Sequence, residues 1–410
     1  MNDEINNLFL FNKPDNIDQY RSLTEGQYYY QYSDRWFDKI FSLDSLERSL
    51  KECCQGTLWK GSVQIFNFLK DIKLREIRDT AYSGTLTLNP LFHTIINERG
   101  KERLISSLTI HDRVIQKSIN QNYLLPIFTP KLIYDNCASL KLRGTDFAIN
   151  RLYAHLQKAY SKWGKDFYIL KLDMKSYFDS MSHDYIRYII SRYTMDPRIM
   201  YYINMILEQY RLDNMINNGS NEPFGVGLGG EVAQTIGIIY LNELDHLFKE
   251  YYKIPYVVRY MDDIILIHND KAYLTNLYNE VINYLSTIHM KLNTKKSVLL
   301  NAKDGVVFLK FHFYLGNNTR EVYIRPNAKG IKRFKRKYVK MIELFKEGEI
   351  TDPGTIDQSL NSFIGHISKS DCYEMINYFE QLKENLFSEE IITNMIINRI
   401  TVNNPPIHNS

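Results

Sequence analysis

The alternation of apolar and polar positions predicts a chain that mixes strands with helices. The apolar run Phe167–Leu172 stops at Asp173, as expected of a buried strand that ends at a site. A loop follows, and a helix is predicted from about His183. Two short apolar runs within Tyr256–Ile267 flank a tight turn that contains Asp262, which predicts a hairpin with acid at its tip.

Three further segments have clear patterns. From Gly100 the chain is basic and apolar in alternation, which predicts a strand followed by a helix. Asn214–Gly230 is rich in Asn and Gly and is predicted to be a loop. Val232–Tyr252 is predicted to be one long helix with an apolar face.

Beyond Pro326 the pattern becomes that of a basic amphipathic helix. Eight bases and no acid occur from Arg325 to Lys340, while Ile331, Phe334 and Tyr338 keep a helical apolar spacing. Such a helix suits a nucleic-acid backbone, although a charge run is more often a solvated helix face. We expect a domain boundary between Asn317 and Pro326.

Composition narrows the class of protein. With 410 residues, 44% of them hydrophobic and 24% charged, the chain can bury a sizeable core, which excludes a disordered or collagen-like protein. The net charge of +4 does not by itself predict a nucleic-acid partner. Four cysteines without a paired motif give no zinc or disulfide framework, and the acidic start and lack of a long apolar run predict a cytoplasmic protein.

Three aspartates form the candidate chemical site. Asp173 ends one predicted strand, and Asp262 and Asp263 lie at the tip of the predicted hairpin. Transfer of a nucleotidyl group uses two divalent metals a few ångströms apart, and Mg²⁺ prefers carboxylate oxygen. These residues supply the ligands if the two elements share one sheet. The competing interpretation is an ordinary hairpin turn, in which Asp is a favoured residue.

The residues around these aspartates resemble the bacterial reverse transcriptases, a group that includes intron-encoded, retron and diversity-generating enzymes. The resemblance runs from about residue 100 to 311, and more loosely to about residue 380, with the family's elements in the family's order. Those elements are Lys101 and Arg103; Asp112, Arg113 and Gln116; Leu172–Asp179; Gly227, Gly229, Gly230 and Gln234; Tyr260–Asp263; Leu292, Asn293 and Lys296; and Phe308, Leu309 and Phe311.

The resemblance implies an α+β right-hand polymerase fold with fingers, a palm made of an antiparallel sheet plus helices, and a helical thumb. The implied divisions are an N-terminal helical extension (1–85), fingers (86–165), the first part of the palm (166–185), a fingers–palm connection (186–223), the second part of the palm with the primer grip (224–317), and the helical thumb with a C-terminal tail (318–410).

The resemblance also implies residue roles. Asp173, Asp262 and Asp263 would be the catalytic, metal-binding carboxylates for two Mg²⁺ ions, with Mn²⁺ as a substitute. Asp263 would contribute less than the other two. Lys101 and Arg103 would grip the triphosphate, although a solvated basic strand would look the same.

Four further roles follow from the same resemblance. Phe178 would exclude the ribose 2′-hydroxyl, unless it is a plain core residue. Gln234 would face the nascent base pair, although a Gln that opens a helix is otherwise unremarkable. Lys296 would assist the leaving pyrophosphate as a general acid. The residues implied to bind nucleic acid are Arg325, Lys329, Lys332, Arg333, Arg336 and Lys337.

The implied activity is RNA-directed DNA synthesis. The implied partners are an RNA template, expected to be a structured non-coding RNA encoded nearby, a DNA primer and product, and deoxynucleoside triphosphates, with no membrane. Ala233 and Lys310 replace the usual Ser and Gly of the family, and these departures resemble the reverse transcriptases of bacterial antiphage defence. The oligomeric state is not predicted.

Alternative functions remain open at this point. The same fold could make DNA without a template or from a protein primer, and an RNA-binding protein could retain a vestigial polymerase site. Gly225, Gly227 and Gly230 also match the spacing of a dinucleotide-binding loop, but polar residues precede them where that motif requires a strand.

Overall fold

The structure is a computed structural model that describes residues 35–98, 101–194, 196–219, 221–227, 229–317, 321–350 and 352–386. It divides into two compact units. The first takes the residues up to 144 together with 170–266 and 271–299, and the second takes 145–169, 267–270 and 300–410.

The described part of the first unit begins with four helices, α1 (Arg35–Phe41), α2 (Leu43–Cys54), α3 (Gly61–Phe68) and α4 (Lys70–Ser83). Ser42 caps α2 by accepting a hydrogen bond from the Ser45 N–H, and Phe37 and Leu46 are completely buried. The predicted N-terminal helical extension therefore corresponds to helices from residue 35 onward, while residues 1–34 lie outside the described part of the chain.

A two-stranded antiparallel hairpin follows, made of β1 (Phe92–Glu98) and β2 (Lys101–Ser107). It leads into α5 (Ile110–Ile119), whose first turn is capped by Thr109. The predicted basic strand and helix after residue 100 are thus confirmed. The chain continues through a π-helical turn at Asn120–Leu124, the short α6 (Leu125–Phe128) and a 3-10 turn at Thr129–Lys131.

The other helices of the first unit are α8 (His183–Ser191), α9 (Pro197–Asn218), α10 (Glu231–Ile239), α11 (Asn242–His246), which runs into a π-helical turn at Leu247–Tyr251, and α12 (Lys271–Thr287). The helix predicted from about residue 183 is confirmed.

Two predictions about these helices are wrong. The segment Asn214–Gly230 is not all loop, because α9 continues to Asn218 and ends at Gly219, whose φ of 69° is readily adopted by glycine. The segment Val232–Tyr252 is not one helix, because the chain leaves helical geometry at Leu241 between α10 and α11. In both cases the local polarity pattern missed contacts that come from distant parts of the chain.

A four-stranded sheet lies at the centre of the candidate site. Its strands are β3 (Tyr168–Asp173), β4 (Tyr256–Tyr260), β5 (Asp263–His268) and β6 (Val298–Asn301), in the order β4–β5–β3–β6. The predicted hairpin is confirmed, and its turn consists of Met261 and Asp262. Because β5 is hydrogen-bonded to β3, the ends of the two predicted elements share one sheet, as the site requires.

The second unit contains α7 (Thr145–Trp163), the antiparallel strands β7 (Val306–Phe308), β8 (Phe311–Leu315) and β9 (Val322–Pro326), and three helices, α13 (Ala328–Lys346), α14 (Pro353–Ile367) and α15 (Tyr373–Leu386). The Tyr160 hydroxyl of α7 donates to the Gly316 carbonyl at 2.8 Å. The three helices share a core around Tyr338, Leu360 and Phe379.

The predicted division at residues 317 and 318 falls between β8 and β9, which pair with each other. The names fingers, palm and thumb, with the residue limits given above, stay predictions. The α+β class is confirmed. Among the described residues, no helix is both long enough and apolar enough to span a membrane.

Candidate active site

The backbone fixes Asp173 beside the hairpin turn. The Asp173 carbonyl accepts a hydrogen bond from the Asn293 N–H at 2.8 Å, and the Asp173 N–H donates to Ser297 Oγ at 3.1 Å. The next residue, Met174, donates its N–H to the Asp262 carbonyl at 3.3 Å. The end of β3 and the tip of the hairpin β4–β5, which we call the catalytic hairpin, are therefore joined directly.

Two lysines contact the acidic cluster. Lys296 Nζ lies 3.2 and 3.1 Å from the two carboxylate oxygens of Asp173, and its side chain is 63% exposed. Lys171 Nζ lies 3.1 Å from each carboxylate oxygen of Asp263, and both side chains are largely buried. Asp262 has no ion pair with a base in the described residues.

The three aspartates Asp173, Asp262 and Asp263 bring negative charge together where their side chains are partly or largely buried. Burial raises the pKa of Asp263 to about 6 despite Lys171, and repulsion from Asp262 and Asp173 adds to the rise. Burial also raises the pKa of Asp262, and the charge of Asp173 contributes in the same direction. A cation at this place would therefore stabilise the ionised carboxylates.

The three carboxylates fit divalent magnesium in ligand type. In the described part of the chain no three His, Cys, Asp or Glu side chains surround a common metal position, and Asp173 and Asp263 each contact a lysine. Carboxylates are nevertheless the oxygen ligands that Mg²⁺ prefers, and the exposed Lys296 can leave Asp173. The metal-binding role of these residues stays a prediction.

Phe178 is partly exposed and packs on helix α10. A Cβ placed on Gly237 would lie 3.1 Å from the Phe178 ring and 3.3 Å from Met261 Sδ. The neighbouring Tyr177 is buried and donates its hydroxyl to the Gly237 carbonyl at 2.6 Å. Gln234, an exposed residue, lies on the same helix. The structure thus brings Phe178, helix α10 and the catalytic hairpin together.

Lys101 and Arg103 lie in β2, where their backbones pair with Glu98 and Ile96 of β1. Their side chains are outside what the structure describes. The far end of the same hairpin is attached to α9, because His93 Nε2 and Ser106 Oγ each lie 2.8 Å from a carboxylate oxygen of Asp213. The triphosphate role of Lys101 and Arg103 stays a prediction.

The glycine-rich loop before α10 is explained by close packing. Gly229 has a φ of +142°, and a Cβ there would lie 2.7 Å from the Ser106 carbonyl oxygen. A Cβ on Gly230 would lie 2.7 Å from Gln116 Oε1, and one on Gly227 would lie 2.8 Å from the Tyr210 ring. The loop follows helix α9 rather than a strand, which argues against a dinucleotide-binding motif.

The predicted basic helix is α13, in the second unit. Its exposed bases include Lys329, Lys332, Arg333 and Arg336, none of which has an acidic partner among the described residues. Lys337 Nζ lies 3.2 Å from Ser359 Oγ, and Arg325 at the end of β9 lies over the Tyr314 ring at 5.0 Å. A positive helix face is therefore available for a polyanion, and its role stays a prediction.

Three residues near the site were missed in the sequence. Lys171 contacts Asp263, and Arg259, two positions before the hairpin turn, is completely buried against Asp245. The signal that could have revealed Lys171 and Arg259 is a charged residue inside an apolar strand, because Lys and Arg are rarely buried without a partner. Nothing in the sequence singles out Asp245 as the partner of Arg259.

Comparison with protein families identifies the class. The family model described as reverse transcriptase (RNA-dependent DNA polymerase) matches residues 95–313, which is more than half of the chain. The chain therefore belongs to the reverse transcriptase family. The predictions of a right-hand polymerase fold and of an RNA-directed DNA polymerase as the enzyme class are confirmed at this level.

Individual relatives are distant. Protein YkfC of Escherichia coli is 22% identical over 273 residues, which cover 58% of this chain and 70% of that protein. The putative COX1/OXI3 intron 2 protein of Saccharomyces cerevisiae is 23% identical over 241 residues, which cover 44% of this chain and 28% of that protein. These two relatives agree with the prediction of a bacterial or intron type of reverse transcriptase.

Solved telomerase structures are also similar. The telomerase of Candida albicans with a fragment of telomeric RNA has a TM-score of 0.43 and 14% identity, covering 75% of this chain and 61% of that one. The apo telomerase of Candida tropicalis has a TM-score of 0.41 and 13% identity, covering 56% of this chain and 47% of that one. The chain thus spans about half of the telomerase chains that it matches.

Proposed function

We propose that this protein makes DNA on an RNA template by nucleotidyl transfer at Asp173, Asp262 and Asp263. The observation that carries the proposal is the hydrogen bond from the Met174 N–H to the Asp262 carbonyl, which joins the end of β3 to the hairpin turn. Two strand ends that are held together in this way can present carboxylates to shared ligands from a rigid base.

Two magnesium ions, with Mn²⁺ as a substitute, would be held by Asp173, Asp262 and Asp263. Bound there, they would activate the primer 3′-hydroxyl and neutralise charge on the phosphates. Lys296 would then leave Asp173 and offer its ammonium group to the leaving pyrophosphate. Lys171 would keep its contact with Asp263, so that Asp263 would contribute less to metal binding than Asp173 and Asp262.

The incoming deoxynucleotide would lie between the β1–β2 hairpin and helix α10. Lys101 and Arg103 would bind its triphosphate, since Lys provides a point charge and Arg a forked donor for phosphate. Phe178, seated on Gly237, would leave no room for a 2′-hydroxyl, and Gln234 would face the base pair.

The proposed template is a structured non-coding RNA encoded near the gene, and the proposed primer and product are DNA. Helix α13 and Arg325 would bind the backbone of the template–product duplex through their exposed basic side chains. We further propose a cytoplasmic role in bacterial antiphage defence, which is supported by the resemblance of the sequence to enzymes of that type.

The test is DNA synthesis by the purified protein with Mg²⁺, deoxynucleotides, RNA and an annealed primer. We expect wild type to extend the primer and the double variant Asp262→Asn with Asp263→Asn to lose synthesis. Burial raises the pKa of both groups, so neutral amides of the same size should leave the metal-free protein at least as stable. Loss of activity would then be chemical and not a folding defect.

Asp79→Asn provides the control, because Asp79 is an exposed acid on α4 with an ordinary surface ion pair to Arg78. Primer extension that persists in the double variant contradicts the proposal. DNA that forms without any RNA supports untemplated or protein-primed synthesis by the same fold. RNA binding by wild type without any synthesis supports a vestigial site.

A further inference from the structure

A completely buried ion pair lies next to the catalytic hairpin. Arg259, the residue of β4 that comes three positions before Asp262, has no exposed surface, and neither has Asp245 of α11. Arg259 Nε lies 2.9 and 2.8 Å from the two oxygens of Asp245, and Arg259 Nη2 lies 2.8 Å from one of them. The guanidinium is thus held in one orientation by a bidentate contact.

The same guanidinium reaches two backbone carbonyls beyond Asp245. Its Nη1 donates to the Met261 carbonyl at 3.2 Å, and its Nη2 donates to the Ile238 carbonyl near the end of α10. Met261 is a non-glycine residue with a φ of 56°, a conformation that surrounding structure must hold in place. Arg259 therefore contacts the strained residue that turns the chain into Asp262.

Helix α10 forms the other side of this arrangement. It carries Gln234 and Gly237, and the Phe178 ring packs against Gly237. One buried guanidinium therefore connects the hairpin turn, the end of α10 and α11. A lysine at the same place would supply a single point of charge and could not reach three partners in a plane.

We propose that the Arg259–Asp245 pair is a positioning device for nucleotidyl transfer, which sets the Met261–Asp262 turn against helix α10. The inference rests on the proposed function, because it concerns the efficiency of that synthesis. Arg259 is completely buried and its guanidinium contacts Asp245 and two backbone carbonyls, so we assign it a positioning and not a catalytic role.

The first test replaces the forked guanidinium of Arg259 with the ammonium group of lysine, which keeps the positive charge. We expect Arg259→Lys to lower kcat about 100-fold, since a displacement of about 1 Å at a reacting centre has an effect of that size. We also expect weaker Mn²⁺ binding to the protein without substrate, about tenfold or more, measured by the electron paramagnetic resonance of free Mn²⁺. The control is Arg198→Lys. Arg198, at the start of α9, also forms a forked pair with a buried acid, Asp196, but it packs over the ring of Phe37 in α1.

The second test separates positioning from folding. Replacing both partners by apolar residues, Arg259→Met with Asp245→Leu, removes the two buried charges together, and such replacements are often neutral or stabilising. We expect this variant to unfold at a urea concentration equal to or above that of wild type and still to lose about 100-fold in kcat.

The outcomes are distinguishable. If the doubly apolar variant folds and extends primers like wild type, or if Arg259→Lys behaves like Arg198→Lys in both kcat and Mn²⁺ affinity, the positioning role is wrong. If wild type itself makes no DNA, the proposed function fails. The Mn²⁺ affinities of Arg259→Lys and wild type then decide the positioning role by themselves, since equal affinities contradict it and a weaker affinity of the variant supports it.

Discussion

At the scale of single residues, the three carboxylates of the site differ in their surroundings. Asp173 contacts the exposed Lys296, Asp263 contacts the largely buried Lys171, and Asp262 contacts neither lysine. A metal ion bound there would compete with an exposed lysine at Asp173 and with a largely buried one at Asp263. The smaller contribution expected of Asp263 stays a prediction, and its physical reason would be Lys171, which strand β3 places beside that carboxylate.

Phe178 gives a prediction about sugar selectivity. We expect Phe178→Ala to raise ribonucleotide incorporation relative to deoxynucleotide about tenfold or more, since a missing side chain in a packed pocket changes discrimination by about that factor. The measurement is the ratio of kcat/KM for the two nucleotides. Phe68→Ala, which removes an exposed ring from α3, should leave the ratio unchanged. An equal ratio in both variants would return Phe178 to an ordinary packing role.

His183 gives a prediction about pH. It is completely buried, and its Nε2–H donates to the Gly225 carbonyl at 2.7 Å. Burial lowers the pKa of His183 from 6.5 to about 4, because its Nδ1 is buried with no hydrogen-bond partner among the described residues. The unfolded chain therefore binds the proton more readily between these two values, and stability falls as the pH decreases through that window.

We expect this residue to lower the free energy of unfolding by about 2 kcal/mol between pH 7 and pH 5. In His183→Gln, whose amide can still donate to Gly225, that share of the pH dependence should vanish. The measurement is urea unfolding of both proteins at the two pH values. A wild type and a variant with the same pH dependence would show that His183 does not titrate in this range.

At the scale of elements, close backbone approaches attach the β1–β2 hairpin to its neighbours. Gly229 comes so near to the Ser106 carbonyl that a side chain would not fit, and Asp213 of α9 holds both His93 and Ser106. These contacts also explain why α9 is longer than its polar sequence predicts. The helix continues to Asn218 because Asp213, a residue of its last turns, has partners on the hairpin.

Helix α13 gives a prediction about nucleic-acid binding. Replacing Lys332, Arg333, Arg336 and Lys337 by Ala should weaken binding to an RNA–DNA duplex and reduce the slope of log K against log salt by roughly 1 for each lost phosphate contact. The measurement is fluorescence anisotropy of a labelled duplex over a range of salt concentrations.

The matched control removes the same charge from helix α4, by replacing Lys70, Lys73, Arg75 and Arg78. Three of these bases already have acidic partners, in the pairs Lys70–Glu47, Lys73–Glu76 and Arg78–Asp79. Equal losses of affinity in the two variants would mean that net charge, and not helix α13, determines binding.

At the scale of the whole molecule, the net charge of +4 is the sum of acids and bases that lie in different parts of the chain. Acids converge on β3 and the catalytic hairpin in one unit, while the exposed bases of α13 belong to the other. The sum of +4 therefore carries little information about partners, whereas the location of each charge carries much.

The proposed defence role gives a prediction at this scale. Bacteria that carry the gene with its flanking RNA should plate fewer phages than cells without it, and Asp173→Asn should abolish the protection at equal protein level. Asp79→Asn should protect like wild type. Sequencing the DNA and RNA bound to the purified protein tests the template, because a product complementary to a co-purifying RNA is expected. Protection that survives Asp173→Asn would separate any defence role from DNA synthesis.

The sequence by itself determined the elements whose pattern is local. The apolar run that ends at Asp173, the hairpin with Asp262 and Asp263 at its turn, and the amphipathic helix after Pro326 are all present. Each follows from periodicity and turn preference over fewer than about twenty residues. The order of the sequence motifs along the chain also indicated the reverse transcriptase family.

The tertiary structure alone decided which distant residues meet. Helix α10 ends and α11 begins where Asp245 can reach Arg259, and no local pattern indicates that Asp245 is the partner of this completely buried arginine. The contacts of Lys171 with Asp263 and of Gly237 with Phe178 also join residues far apart in the chain. Such contacts depend on how strands and helices pack together, so the conformation of the turn at Met261 and the pKa values of its aspartates become defined only when the chain is folded.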